Sequence, residues 1–600
     1  MSSSSKDNDK GRPSMARERP KTEKTPESAP ESVPPAKRAG LFQLIQQLLN
    51  RIGESIWLKV AAVLGLLFIV LATPFFLRSD QGDRNAMADR TLVIISPHNE
   101  AIREEFARGF QDYMRNQPES ELVKIEWRDV GGTGEISRFL DTSYRAAFES
   151  HWKKTVQTEW NGPDSPGAAS INYRMPSAFD TPDEQATYED ARQKFLASDV
   201  GVGIDLFFGG GDYDFKQHSR KGHLVDSGIV DAEPEWFEEE VIPSTASGVQ
   251  LYDKEHRWLG NCLSGFGIVY NEDSHERLGL NPPREWEDLK DPLYFGSLAL
   301  ADPTKSGSAA KAFEMLIQQQ LEIAVQEIDP EKVVDMDQAI ADAMDRGWTR
   351  GLNLIQGIAG NARYFSDSST KPPYDVAQGN AAAGMCIDFF GRTLNERYLR
   401  EDGSSRVQFI LPLGGTAITP DGIGMLRGAP NKDLALEFMR YLFSPPGQRI
   451  WHYKTSARGG PQNTALRRLP IRLDAYTPEE LALSNDAEIL PYEKAEEFTY
   501  HSDRTGKYFS VIRFVIQVMC LDNHEELREA WQALIDHNGP PKASEIFYNV
   551  SLVGYSGGAA HLANMLSLDD PIALQGERRR LRAYFRRNYE LAARKARLEE

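Results

Sequence analysis

Cysteine is scarce in this chain: among 600 residues only Cys262, Cys386 and Cys520 occur, with no Cys-x-x-Cys pair. That excludes a disulfide framework and a zinc site built of thiolates, and permits an oxidising compartment without demanding one. Basic residues are also in deficit, 69 against 88 acidic ones, for a formal net charge of −19. Phosphate backbones are gripped by clustered Lys and Arg, so nucleic acid is excluded as the main partner. No His-Glu-x-x-His occurs, no calcium loop of spaced Asp residues, and no internal repeat of about 20–50 residues. Gly554-Tyr555-Ser556-Gly557-Gly558 fits Gly-x-Ser-x-Gly behind an apparently β-rich Phe547 to Val553. A nucleophile elbow needs an acid and then a histidine downstream. The only later histidine is His561, ahead of any Asp, so a glycine-rich turn is the better account. With no acid/base constellation legible, neither an enzyme, nor a catalytic residue, nor a cofactor, nor a metal is expected.

What is present is ordinary globular composition, 40% hydrophobic and 26% charged, after an unusual start. Residues 1–40 are rich in Ser, Pro, Lys, Arg and Glu and too poor in apolar residues to offset their ordering entropy, so a disordered tail is expected. Over 41–56, Leu41, Leu44, Ile45, Leu48 and Ile52 recur at helical spacing, predicting an amphipathic helix near a membrane surface. Residues 57–78 then read as a transmembrane anchor: Val60 to Leu77 is apolar except for Thr73 and Pro74. At ~1.5 Å per residue it spans ~27 Å, close to the hydrocarbon thickness. A cleaved signal is the alternative, but Leu71-Ala72-Thr73 is a poor cleavage box and no cysteine precedes Cys262 for lipidation. Basic residues crowd the segment before the anchor, so the tail is expected in the cytoplasm and the body outside it.

From Arg90 the pattern becomes strand, glycine or polar turn, helix. Leu92 to Ile95 leads through Ser96-Pro97-His98-Asn99 into a helix, Leu122 to Trp127 ends in Gly131-Gly132-Thr133-Gly134, and Ile204 to Phe208 ends in Gly209-Gly210-Gly211. Strands alternating with helices predict an α/β fold with a mainly parallel sheet. Ligands in such sheets sit beyond the carboxyl ends of the strands, where helix N-termini leave N–H groups unpaired. An insertion over 143–198 reads as an elaboration of the rim.

Beyond Trp258 the order of features is specific. Gly265-Phe266-Gly267-Ile268-Val269-Tyr270-Asn271 precedes Leu278-Gly279-Leu280, Pro282-Pro283 and Trp286-Glu287-Asp288-Leu289. Asp291-Pro292 and Asp302-Pro303-Thr304-Lys305-Ser306-Gly307-Ser308 follow, and Gly428-Ala429-Pro430-Asn431 opens a helix stopped at Ser444-Pro445-Pro446-Gly447-Gln448. This succession resembles the extracellular solute-binding proteins of ABC importers, in the branch of ferric-iron, thiamine and sugar-phosphate binders. The resemblance is good from Asp199 to about Gln448. It implies a two-lobed periplasmic-binding-protein fold of type II, with crossing strands near Gly265 to Asn271 and Ala417 to Met425. Lobe one is expected over 90–263, lobe two over 264–424, and a return with a helical C-terminal extension over 425–600. The implied partners are a small-molecule solute, a permease and an ATPase of an importer, and the membrane through the N-terminal helix. A membrane-tethered sensor or assembly subunit on the same fold is the competing function.

The candidate ligand residues gather at the strand ends. Thr304, Lys305, Ser306, Gly307 and Ser308 offer hydroxyls, N–H groups and a charge to an anion, or else Thr304 or Ser306 merely caps a helix. Gly132, Thr133, Gly209, Gly210 and Gly211 have the same character from lobe one, and Ser264 stands at the first crossing. His98 and Glu100 lie where ferric-binding relatives carry a histidine ligand, with helix capping as the bland reading. Those relatives end the later segment in two adjacent tyrosines, whereas this chain has Asp388-Phe389-Phe390. Phenylalanine has no oxygen for a hard cation, which argues against tyrosine-type iron binding. Phe389 and Phe390 are expected to contact a solute, with Asp388 and Arg392 pairing its polar groups, or else to be core aromatics.

Overall fold

The computed structural model describes residues 90–118, 121–156, 160, 165–171, 179, 181–567 and 570–598. The expected tail, amphipathic helix and membrane anchor over 1–40, 41–56 and 57–78 lie outside the described residues. Among those described, no helix is long and apolar enough to cross a membrane.

Two mixed sheets carry two lobes. The first holds β1 (Arg90–Ile95), β2 (Val123–Arg128), β3 (Leu206–Gly211), β4 (Leu224–Val225), β7 (Leu259–Ser264), β13 (Thr419–Leu426) and β14 (Leu469–Pro470), while β5 (Thr245–Ala246) and β6 (Val249–Gln250) pair as a separate ribbon. The order is β14-β7-β13-β3-β1-β2, with β4 also on β13. β1 is parallel to β2 and β3; β13 runs antiparallel to β3 and β7. The strand period of two sorts the side chains. Leu92 and Ile94 join Ile102, Phe106 and Phe110 of the helix Glu100–Arg115 on one face. Ile95 joins Ile136, Leu140 and Tyr144 of the helix Thr133–His151 on the other. The insertion is not a rim elaboration. Trp152, Ala168, Tyr188 and Phe195 are buried in that second core, so it is part of the helical layer over the sheet.

The second sheet holds β8 (Phe266–Asn271), β9 (Leu298–Ala301), β10 (Ala362–Ser366), β11 (Ala383–Ile387) and β12 (Val407–Ile410), in the order β10-β9-β11-β8-β12. The chain crosses between lobes at Gly265, directly between β7 and β8, and again over 411–418 between β12 and β13. A third crossing follows. After β14 the chain still covers lobe one, with Ile471 and Ala495 in its core. Phe498 and Tyr500 then enter a small cluster with Val249 of β6 and Met315 of the helix Gly307–Gln326. From Tyr508 onward the buried side chains belong to the core of lobe two, on the helix Met336–Asn361. Trp348 Nε1 donates to the Val553 carbonyl at 2.8 Å, and Trp531 Nε1 to Asn361 Oδ1 at 2.7 Å.

The Gly554 turn is no elbow, because no strand leads into it: the chain runs from the helix Pro541–Phe547 through a 3₁₀ turn, Ser551–Val553. The Ser556 hydroxyl donates to Asp345 at 2.5 Å. In the last helix, Pro571–Ala596, Arg578, Arg580 and Arg586 are in ion pairs with neighbouring carboxylates, as is Arg597 just beyond it. A solvated, ion-paired face accounts for these four.

Truncation after Tyr500 uncovers Trp348, Leu352 and Ile355, all fully buried. Each costs about 1.5–3 kcal/mol when left in water, against about 5–15 kcal/mol for a whole domain. The expected outcome is loss of cooperative melting for lobe two. A truncated chain that melts like the full one would contradict this packing.

Candidate functional site

Every strand–helix junction facing the gap between the lobes ends in a turn that aims a helix N-terminus inward. Lobe one supplies the starts of three helices: Glu100–Arg115 behind Asn99, Thr133–His151 behind Gly132, and Asp212–Lys221 behind Gly211. Lobe two supplies two, Gly307–Gln326 behind Ser306 and Asp388–Arg397 behind Ile387. Residues at all five starts line one cavity of about 680 Å³. A narrow annex of about 60 Å³ continues inward past Ser264, Asp212, Lys311 and Phe509. Unpaired N–H groups and the helix dipole favour negative charge at such starts. Four of these helices carry a carboxylate in the first turn; Gly307–Gln326 carries none. The Gly307 and Ser308 N–H groups thus have no carboxylate on their own helix, although Asp214 of lobe one faces Gly307, its Oδ2 3.7 Å from where a Cβ would stand.

The floor is set by Asp421 on β13. Its carboxylate accepts from the Gly210 N–H and from Arg468, and stands 3.2 Å from His98 Nε2, while its backbone carbonyl accepts from Asn261. Burial pushes the Asp421 carboxyl up, but Arg468 and His98 outweigh it and hold it well below the ordinary range. The Arg468 guanidinium lies 4.7 Å from the Phe389 ring centroid, and its Nε is buried without a partner, as is His98 Nδ1. Gly209, at φ +97°, packs under His98, where a Cβ would come within 2.6 Å of the imidazole. Both lobes meet around the annex. Lys311 of lobe two is 2.9 Å from Glu314 and 3.4 Å from Asp212 of lobe one, all three buried. A Cβ on Gly307 would be 3.1 Å from Thr133 Oγ1, so the lobes stand closed.

Most expected residues come together here. His98, Gly132, Thr133, Gly210, Gly211, Lys305, Ser306, Gly307, Ser308, Phe389 and Phe390 line the cavity, and Ser264 lines the annex. Five do not. Glu100 is exposed on the first turn of its helix, whose cap is Asn99, its Oδ1 accepting from Ile102. Gly209 lies beneath His98. The Thr304 hydroxyl donates to Asp302 at 2.7 Å, and its carbonyl accepts from Arg513. Asp388 and Arg392 pair with each other at 2.9 Å, and Arg392 donates to the Arg467 carbonyl at 2.8 Å, so they tie the lobes beside the cleft. Ser306 also caps its helix, accepting from Ala309, and Lys305 pairs with Asp367 at 2.7 Å. Asp421, Arg468, Lys311 and Phe509 were not anticipated. Asp421 lay inside the crossing strand, and Arg468 and Phe509 in the region where the motifs fade.

The model of the bacterial extracellular solute-binding protein family matches residues 205–470. This stretch is an extracellular solute-binding domain. The matched stretch holds Asp421 and Arg468 of the floor and the whole second sheet, but neither His98 nor the lobe-two helices after Tyr508. The phosphoglycerate transport regulatory protein PgtC of Salmonella typhimurium is 27% identical over 189 residues, 32% of this chain and 39% of that protein. An uncharacterized protein of Haemophilus influenzae is 23% identical over 224 residues, 37% of this chain and 54% of the other. The chain thus spans about two fifths to half the length of these curated relatives. Among solved structures, the periplasmic binding protein AfuA of Actinobacillus pleuropneumoniae is similar at 18% identity and TM-score 0.40, covering 64% of this chain and 86% of that one. Iron-bound HitA of Pseudomonas aeruginosa is similar at 12% identity and TM-score 0.40, covering 70% and 98%.

Asp421 and Asp212 are both held below the ordinary carboxyl range, in Asp212 by Lys311 and Lys216 against burial. A depressed folded pKa stabilises fully above the unfolded value, about 3.9, and the gain is lost as pH falls below it. The melting temperature should fall steeply below about pH 4. Asp421→Asn strands Arg468 and should cost about 3–5 kcal/mol at pH 7, with a shallower acid limb. Equal acid limbs in both proteins would contradict this reading of the floor.

Proposed function

We propose that this chain is an extracytoplasmic binding protein that captures a small, doubly charged organic anion between its lobes and presents it to an ABC importer. The observation that carries this reading is the Gly307 helix start, free of first-turn carboxylates, in one cavity with four other helix starts. Arg468 supports it, with a buried guanidinium nitrogen left for a ligand. Phe389 and Phe390, 4.2 Å apart at their centroids, offer an apolar wall for the carbon part of the solute. A phosphorylated short-chain acid combines these demands, and PgtC carries phosphoglycerate in its name. Held by a membrane anchor over 57–78, the body would stay beside its permease and ATPase.

The word "regulatory" in that relative's name favours a second reading, a tethered sensor that reports the anion without importing it. Closure on a ligand is a population shift in either case, requiring only tighter binding to the closed form.

Thermal melts separate the solute classes. At ~100-fold above its dissociation constant a ligand adds ~2.7 kcal/mol of stability. 3-Phosphoglycerate or a sugar phosphate should raise the melting temperature, and glycerate, spermidine and ferric citrate should not. The shift should disappear in Arg468→Met. Stabilisation by spermidine or iron but by no phosphate ester would sink the proposal. Uptake in a deletion strain then divides the two readings: an importer subunit loses uptake, whereas a sensor loses only the response.

A further inference from the structure

Within lobe one, three ligand-type side chains that the solute cavity does not use stand together. Asp141 lies on the helix Thr133–His151, His218 in the last turn of Asp212–Lys221, and His223 just past the Gly222 cap of that turn. One donor atom from each lies within 4.8 Å of the others. The two Nδ1 atoms are 2.9 Å apart, and Asp141 Oδ1 is 3.9 Å from His223 Nδ1. Both imidazoles are fully buried; Tyr144 stacks on His223 at 4.2 Å.

The outer nitrogens decide what the inner ones are. His223 Nε2 stands 3.0 Å from the Ser170 carbonyl oxygen, which only accepts, so that nitrogen carries hydrogen. His218 Nε2 stands 3.1 Å from Ser137 Oγ, and the Ser137 hydroxyl donates to Asp214 at 3.3 Å. With the single Ser137 hydrogen given to Asp214, His218 Nε2 is also a donor. In a neutral imidazole the remaining nitrogen then presents a lone pair. Two lone pairs thus face each other at 2.9 Å in a closed interior, an arrangement that something positive between them would relieve.

We propose that His218 Nδ1, His223 Nδ1 and an Asp141 oxygen bind one divalent transition-metal ion, with zinc the best match to two imidazoles and a carboxylate. Nitrogens ~2.0–2.1 Å from a tetrahedral zinc ion stand about 3.3 Å apart, so the pair needs to open by only a few tenths of an ångström. Ser170 and Ser137 hold the rings by their outer N–H groups, as second-shell partners of metal-bound histidine do. Asp141 is partly exposed, which leaves a fourth position for water. Lys221 Nζ, 2.7 and 2.8 Å from the two Asp141 oxygens, is the cation that holds this carboxylate in the absence of metal. Its side chain is flexible and partly exposed, and it can swing into solvent. The ion would tie both helices and, through Ser170, the inserted layer into one unit, without reference to what the cleft binds.

The test is cobalt titration of the full chain after chelator treatment. The expected result is one cobalt per chain, with the visible bands of a four-coordinate site, displaced by one equivalent of zinc. Asp141→Asn, at a partly exposed position, removes a direct ligand and should weaken binding by at least the roughly tenfold lost at outer-shell partners. Lys221→Ala should tighten it by removing the competitor. No saturable bands would overturn the proposal and place a proton between the two rings, with Asp214 protonated and the Ser137 hydrogen turned toward His218. Binding that neither substitution alters would also overturn it, since the ion would then sit elsewhere.

Discussion

Asp421 is the residue on which the architecture closes. Through its side chain and its carbonyl it holds Gly210 at the end of β3, His98 after β1, Arg468 ahead of β14 and Asn261 on β7. Four separated parts of the chain are thereby fixed around this one residue, on the strand that returns from lobe two to lobe one. A buried ion pair of this kind is weak evidence for stability, because desolvation offsets much of the attraction. What it secures is position. It keeps one face of Arg468 directed at the cavity while the other is spent on Asp421 and Cys262. The proposed anion site therefore depends on a structural charge that need not touch the solute.

The remaining elements follow from where strands end. A parallel strand delivers its helix start to the same edge of the sheet, and two lobes facing edge to edge bring five such starts into one space. That much was legible. Period-two alternation in Leu92 to Ile95, the glycine run that ends β3 and the Thr304 to Ser308 turn were enough to anticipate both the sheet and most of the lining. The failures are informative too. Asp388 and Arg392 sit next to the lining phenylalanines in sequence, yet they pair with each other, and Arg392 reaches Arg467 and Asp486, residues 75 and more away in the chain. Arg468 and Phe509 carry no local pattern, because their role comes from long-range packing. Phe547 to Val553 looked β-rich from composition, but tertiary packing on the last helix won over propensity.

The third crossing between lobes changes how this fold can move. A chain that crosses twice can hinge about two strands. Here Phe498 and Tyr500 add a packed apolar contact at the hinge, and the segment beyond them forms a large part of the lobe-two core. Arg513 of that segment donates to the carbonyls of Pro303 and Thr304, just ahead of the Gly307 helix start, and Phe509 walls the annex. The extension is thus continuous with the solute site. A shift at the Gly307 helix start would reach this extension by direct contact through Arg513.

The central claim, that both lobes offer helix starts to a single anion, is tested most directly by a crystal structure of the chain soaked in sulfate, a tetrahedral dianion indifferent to solute identity. The account predicts sulfate in the cavity, bonded to the Gly307 or Ser308 N–H and to Arg468 together. Sulfate confined to the outer surface, with the cavity holding only water, would contradict it.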